Sequence, residues 1–129
     1  MTEKIIGVFY EVYNELGFGF LESVYREAML IALRQAGLRV SAEVPVPVSF
    51  RGCLVGVFRA DLVVEERVIV ELKTSEGVSK AHEAQVLHYL RASAMEVGLV
   101  MNFGADARFR RVEMLNARKK RVPDGAARL

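Results

Sequence analysis

The sequence predicts an α/β (α+β) sandwich, helices packed on a mixed sheet, and three observations carry that prediction. Apolar residues recur at spacings of three and four near the start of the chain, the spacing switches to two over residues 44–50, and two consecutive hairpins precede the crossover helix. Consecutive hairpins exclude a doubly wound sheet, where helices connect successive parallel strands.

Ile5, Ile6, Phe9, Val12, Tyr13 and Leu16 share one helical face, and Gly17 and Gly19 end that helix because glycine accepts the left-handed backbone of a terminus. A second helix is expected from 20 to about 35, with Leu21, Val24, Tyr25, Ala28 and Ala32 inward and Gly37 closing it. Val44, Val46, Val48 and Phe50 then alternate with Glu43, Pro45, Pro47 and Ser49. Proline cannot donate to a ladder, so this strand is an edge. That edge resists sheet extension but permits a homodimer formed through helices. Arg51-Gly52 turns into a strand over Cys53–Val64, with Gly56 marking a bulge or bend, and Glu65-Glu66-Arg67 turns into another over Val68–Lys73. Ser79 is a good N-cap for a helix from 80 to about 95. Val97–Phe103 reads as a short buried strand and 108–115 as one more. One domain over residues 1–115 is expected, followed by a loose basic tail over 116–129, broken by Pro123 and Gly125.

The 129 residues are 52% hydrophobic and 26% charged, which excludes wholesale disorder. The longest charge-free apolar stretch, 97–105, is far short of the ~20 residues of a membrane span. Charged Glu3 and Lys4 lead into an amphipathic stretch, so no secretory leader is expected. Lone Cys53 excludes an internal disulfide and a cysteine-cluster zinc site, and a cytoplasmic location is expected. The net charge of +2 conceals an asymmetry: residues 101–129 hold eight basic and three acidic side chains, whereas residues 1–100 hold ten and thirteen. Arg108, Arg110, Arg111, Arg118, Lys119, Lys120, Arg121 and Arg128 make up the basic end. Such an end suits a polyanionic partner, and it equally serves as a solvated tail that maintains solubility.

Asp61, Glu71 and Lys73 are the chemically specific residues. Each lies in an apolar strand, where an unpaired carboxylate is costly to desolvate. Glu71 and Lys73 point to one face and Leu72 to the other. A two-residue loop at Glu65-Glu66 would set Asp61 opposite Val70, on the wrong face. A three-residue loop, or a two-residue loop plus a bulge, sets it opposite Glu71, and this arrangement is the one expected. Facing carboxylates repel unless a cation or proton lies between them, and an all-oxygen donor set favours Mg2+ or Mn2+. Such an ion polarises phosphoryl oxygens and acidifies water. An ordinary ion pair at the rim of a sheet accounts for the same three residues equally well.

The segment Gly17-Phe18-Gly19-Phe20-Leu21-Glu22-Ser23-Val24-Tyr25 resembles the signature of the GxxExxY family, with Gly19, Glu22 and Tyr25 at the named positions. The resemblance continues through Val44-Pro45-Val46-Pro47-Val48, Arg59-Ala60-Asp61, Val68-Ile69-Val70-Glu71-Leu72-Lys73, His82-Glu83-Ala84-Gln85 and Asn102-Phe103-Gly104, covering the chain to about residue 115. That family is placed in the PD-(D/E)XK nuclease superfamily, which implies a restriction-endonuclease-like core of helix, three antiparallel strands, helix and strand. It further implies that Asp61 and Glu71 bind metal with the Leu72 backbone carbonyl, that Lys73 is the catalytic lysine, and that Glu22 is the acidic residue from the first core helix. Gln85 and Tyr89 resemble the Gln-x-x-x-Tyr element of RecB-like members. Ala60 stands where the motif has proline, a departure the superfamily tolerates.

Glu22 falls in a first helical turn, where the dipole favours its charge, or it pairs with Arg26 one turn on. Tyr25 is read either as a core aromatic or as a support for the ligands. His82, Gln85 and Tyr89 form a polar stripe at i, i+3 and i+7 that could face Glu71 and Lys73; His82 is otherwise a hydrogen-bonded structural residue. The leading expectation is a metal-dependent nuclease in which Gln85 orients the attacking water and Arg108, Arg110, Arg111, Lys119 and Lys120 grip the nucleic-acid backbone. The alternative is a non-catalytic binding module of the same fold. A small-molecule acid–base enzyme has no cofactor fingerprint in its favour.

Overall fold

Residues 1–119 are described by the computed structural model. Two helices come first, α1 (Thr2–Leu16) and α2 (Glu22–Gln35). α1 buries Ile5, Val8, Phe9 and Val12. α2 buries Tyr25, Met29 and Leu33, spaced four apart; of the expected inward face Tyr25 is fully buried, but Leu21 (76% exposed) and Val24 face out, so the buried stripe turns toward Met29 and Leu33. Bulk decides between the two stripes: the larger side chains bury more apolar area, and Ala28 and Ala32 sit half-buried beside them.

Five strands form one sheet in chain order: β1 (Val40–Phe50), β2 (Cys53–Val64), β3 (Val68–Lys73), β4 (Val97–Phe103) and β5 (Ala107–Glu113). Neighbours are antiparallel except β3 and β4, which run parallel and are joined by α3 (Lys80–Arg91). α1 and α2 cover one face, packing on Val40, Leu62, Val64, Val70, Leu72, Leu99 and Met101. α3 covers the other through Val86, Tyr89 and Leu90, packed on Val63, Ile69 and Val100. The fold is the α+β sandwich with a mixed sheet expected above, with Pro45 and Pro47 on the edge strand. Among the described residues no helix is long and apolar enough to cross a membrane.

Glu65 and Glu66 take positive φ and the Arg67 amide donates to the Val64 carbonyl, making a tight turn. Val64 pairs with Val68, so Arg67 is the extra residue of a bulge. A second irregularity lies between Val48 and Ser49, opposite Gly56 and Leu54, and leaves Val55 as the extra residue beside the expected glycine. β2 pairs with β3 only from Leu62 to Val64, so the rest of β1–β2 continues as a two-stranded arm.

α3 ends at Arg91, earlier than expected. The buried Ser93 hydroxyl donates to Leu90 O (3.3 Å) and accepts from Met95 N (3.2 Å), an alternative to helical pairing that turns the chain. Residues 116–119 are not the loose segment expected. Asn116–Arg118 form a short 3-10 turn, and the Lys119 ammonium, only 8% exposed, donates to Ser93 O and Met95 O at 2.7 and 2.8 Å. Lys119, expected in the basic grip, thus directs its ammonium at two carbonyls of the α3–β4 connection. Lys120, Arg121 and Arg128 lie outside the described residues.

α3 approaches β4 so closely at Gly98 that a Cβ there would collide with the Val86 side chain. Gly98→Ala is expected to destabilise the fold by about 1–3 kcal/mol through overpacking. Gly7→Ala, in open space on α1, should instead stabilise the helix by up to about 1 kcal/mol. Urea denaturation of the two variants measures both shifts.

A candidate metal centre at the opened hairpin

Main-chain pairing between β2 and β3 stops at Leu62 and Val70, one residue short of Asp61 and Glu71. Continuing the same register sets those two residues opposite each other. There side chains take the place of main chain. Glu71 Oε1 accepts from the Asp61 amide at 3.1 Å, and Asp61 Oδ2 accepts from the Leu72 amide at 2.8 Å. Each carboxylate is thus oriented through one oxygen and keeps a second for another partner. Glu71 shares its face with Ile69, which packs in the α3 layer, while Leu72 packs under α1 and α2.

Glu71 is 3% exposed, and its pKa is pushed up to about 8. Desolvation is the main cause and the Asp61 charge the second; the Asp61 amide and the Lys73 charge oppose them without prevailing. A proton held on Glu71 relieves the repulsion. The donor set, two carboxylates with no thiolate or imidazole among them, fits a hard divalent cation. Lys73 ends β3 on the face of Glu71, half-buried, and makes no ion pair within 4 Å among the described residues. Gln85 and Tyr89 lie above, on α3. The Gln85 amide donates to Tyr89 Oη at 2.9 Å, and the Tyr89 pKa is pushed up to about 12, by burial first and by the Glu71 charge next.

Other candidates do not join this group. Glu22 is exposed at the first residue of α2, and among the described residues no three His, Cys, Asp or Glu side chains converge as a metal-holding group. Arg26, its expected partner, reaches Glu43 on β1 instead, at 3.7 Å. Tyr25 is fully buried on the far side of the sheet. Its hydroxyl donates to Gly17 O (2.6 Å) and accepts from the Phe20 amide (3.4 Å), and its ring stacks on Phe103. The Gly19–Glu22–Tyr25 segment thus builds the α1–α2 loop, with Gly17 and Gly19 at positive φ. His82 caps its own helix: Ser79 Oγ accepts from His82 N, and His82 Nδ1 accepts from Ser79 N, both at 3.2 Å.

The arginines of β5 divide by strand alternation. Arg108 and Arg110 fall on the face of Val112, in the α3 layer, and are exposed. Register puts Arg110 in one row with Val100 and Glu71, and Arg108 in the next with Asn102 and Lys73. Two strand spacings, about 10 Å, separate Arg108 from Lys73. Arg111 points to the opposite face and pairs with Glu113 at 3.3 Å. Sequence reasoning gave no role to Asn102, which is fully buried. Its amide binds both N and O of Ser75 at 2.9 and 2.8 Å and so fixes the loop after Lys73. A polar residue ending a buried apolar strand was the available signal.

Residues 1–113 match a family model described as the PD-(D/E)XK nuclease superfamily. Among solved structures, the crystal structure of SSO0001 is similar, with a TM-score of 0.58 and 17% identity over 72% of this chain. The chain spans half the length of SSO0001, and at that identity the likeness shows the fold alone. No curated protein matches the chain.

The raised pKa of Glu71 fixes a sign. Between about 4.5, its unfolded value, and about 8, the native chain holds a proton that the unfolded chain has released, so stability falls as pH rises through that window. Urea denaturation in chelator should show a loss on the order of a few kcal/mol between about pH 5 and pH 8.5. Glu71→Gln should remove most of that slope. An unchanged slope in the variant would contradict the assignment.

Proposed function

This chain belongs to the PD-(D/E)XK nuclease superfamily, and from that premise we propose that it is a Mg2+- or Mn2+-dependent nuclease hydrolysing phosphodiester bonds. The observation that carries the reading is the facing pair, Asp61 and Glu71, with an ammonium on the same face. Membership of the GxxExxY group is our finer reading, resting on Gly19, Glu22 and Tyr25.

Asp61, Glu71 and the Leu72 carbonyl would hold the ion, which when bound polarises a phosphoryl oxygen and acidifies water. The protein's own groups have separate tasks. Lys73 holds a proton at Nζ and balances charge on a phosphate oxygen. Gln85 gives its Nε2 to Tyr89 and keeps Oε1 to orient the attacking water. Tyr89 stays a neutral hydroxyl, because its proton is lost only near pH 12. Arg108 and Arg110 track the backbone without reading bases. Glu22, exposed and apart from the pair, has no role in this scheme, and neither have Arg111 and Lys119. A reducing, cytoplasmic location suits the free, exposed Cys53.

A binding module of the same fold is the competing reading, and a buried pair that repels phosphate argues against it. Cleavage of single- and double-stranded DNA and RNA with Mg2+ or Mn2+ separates the two. Asp61→Ala and Lys73→Ala should each lower the rate by at least about 100-fold, and Glu22→Ala should leave it within a few-fold. Equal cleavage by all variants contradicts the catalytic assignment, and no cleavage by wild type favours the binding module.

A further inference from the structure

We infer that Glu43 is a positioning residue for the acidic pair, acting through its backbone: its left-handed conformation bends the β1–β2 hairpin opposite Asp61 and lets β2 leave β3 there. Among the described residues four non-glycine residues have positive φ. Arg51, Glu65 and Glu66 lie in hairpin turns, whose geometry calls for it. Glu43, at φ 52, sits in the middle of a strand. Ala42 pairs with Leu62 and Val44 with Ala60, so the register is the same on either side, yet the pair between them, Glu43 and Asp61, is missing.

Packing shows what the bend accomplishes. Side chains two apart on a strand share a face, but Ala42 packs with the α1–α2 layer and Val44 with the α3 layer. On β2 the same slip separates Ala60, in the α3 layer, from Leu62, in the α1–α2 layer. The distal arm therefore turns its apolar side toward α3, with Phe58 edge-on to Tyr89 at 4.7 Å. β2 leaves β3 at that level, where the Asp61 amide meets Glu71 and the Leu72 amide meets Asp61 in place of a regular ladder. The Glu43 carboxylate itself contributes little, since its side chain is 59% exposed and its contact with Arg26 is a long surface pair.

Naming this a positioning role rests on the reading of Asp61 and Glu71 as the metal-binding pair, but the test needs neither metal nor nucleic acid, so the two can fail separately. Amide hydrogen exchange is followed by NMR in wild type, Glu43→Gly and Glu43→Val. Glycine accepts the left-handed backbone, whereas a β-branched residue resists it. Asp61 and Leu72 amides should stay protected in wild type and in Glu43→Gly. In Glu43→Val they should exchange at least tenfold faster while Leu99 and Met101 in the central strand are unchanged. Protection kept in a folded Glu43→Val, or lost in Glu43→Gly, overturns the inference. Should Glu43→Val not fold, thermal midpoints decide: Glu43→Gly is expected above Glu43→Ala, and the reverse order overturns it.

Discussion

Two carboxyl groups facing each other across neighbouring strands, Asp61 half-buried and Glu71 buried, constrain what is built around them, because burial leaves their charge little solvent to share it. At Asp61 and Glu71 the constraint is met in part by the main chain: each accepts one amide where the β2–β3 ladder has ended. Those bonds hold the groups in place without neutralising them. Burial and mutual repulsion still outweigh the amide and the nearby ammonium, so Glu71 retains a proton well above the ordinary carboxylate range. On the proposed reading a proton and a divalent cation would be alternative occupants of one arrangement, and their exchange would link the chemistry of the site to pH.

The rest of the fold serves this arrangement from two sides. α3 crosses over to make β3 and β4 parallel, so both strands end together, the usual place for a ligand in such a connection. That end carries Lys73, Asn102 and Arg108 in one cross-strand row, and Asn102 immobilises the loop following Lys73 by binding both main-chain groups of Ser75. Among the described residues the α1–α2 layer brings no third carboxylate into a metal-holding group with the pair. Its aromatic cluster of Phe9, Tyr25 and Phe103 and the Tyr25 bond to Gly17 support the far side of the sheet.

The strands were legible in the sequence because period two, prolines on one side and short turns are local signals, but the parity of the Glu65-Glu66-Arg67 turn was open between two registers, and only the need for two facing carboxylates favoured the one that the Val64–Val68 pair adopts. What was not legible depended on packing between distant segments. The expected face of Leu21, Val24, Tyr25, Ala28 and Ala32 and the observed stripe of Tyr25, Met29 and Leu33 share Tyr25, and only contact with the sheet selects the second. The charge of Lys119 suggests solvent, yet two carbonyls of a distant loop claim it. Arg110 and Arg111 read as one basic patch, although strand alternation sends them to opposite faces. Apolar residues at 40, 42, 44, 46 and 48 keep an unbroken period, so nothing in the sequence announces the turn at Glu43 that divides them between two layers.

Calorimetric titration of the intact chain with Mn2+ at about pH 6 and about pH 9 tests the central claim most directly. Cation binding at the facing carboxylates predicts one strong site per chain, tighter at the higher pH where the Glu71 proton is gone, and weakened at least tenfold by Glu71→Gln. Affinity that ignores both pH and that substitution would mean the ion, if bound at all, is held elsewhere.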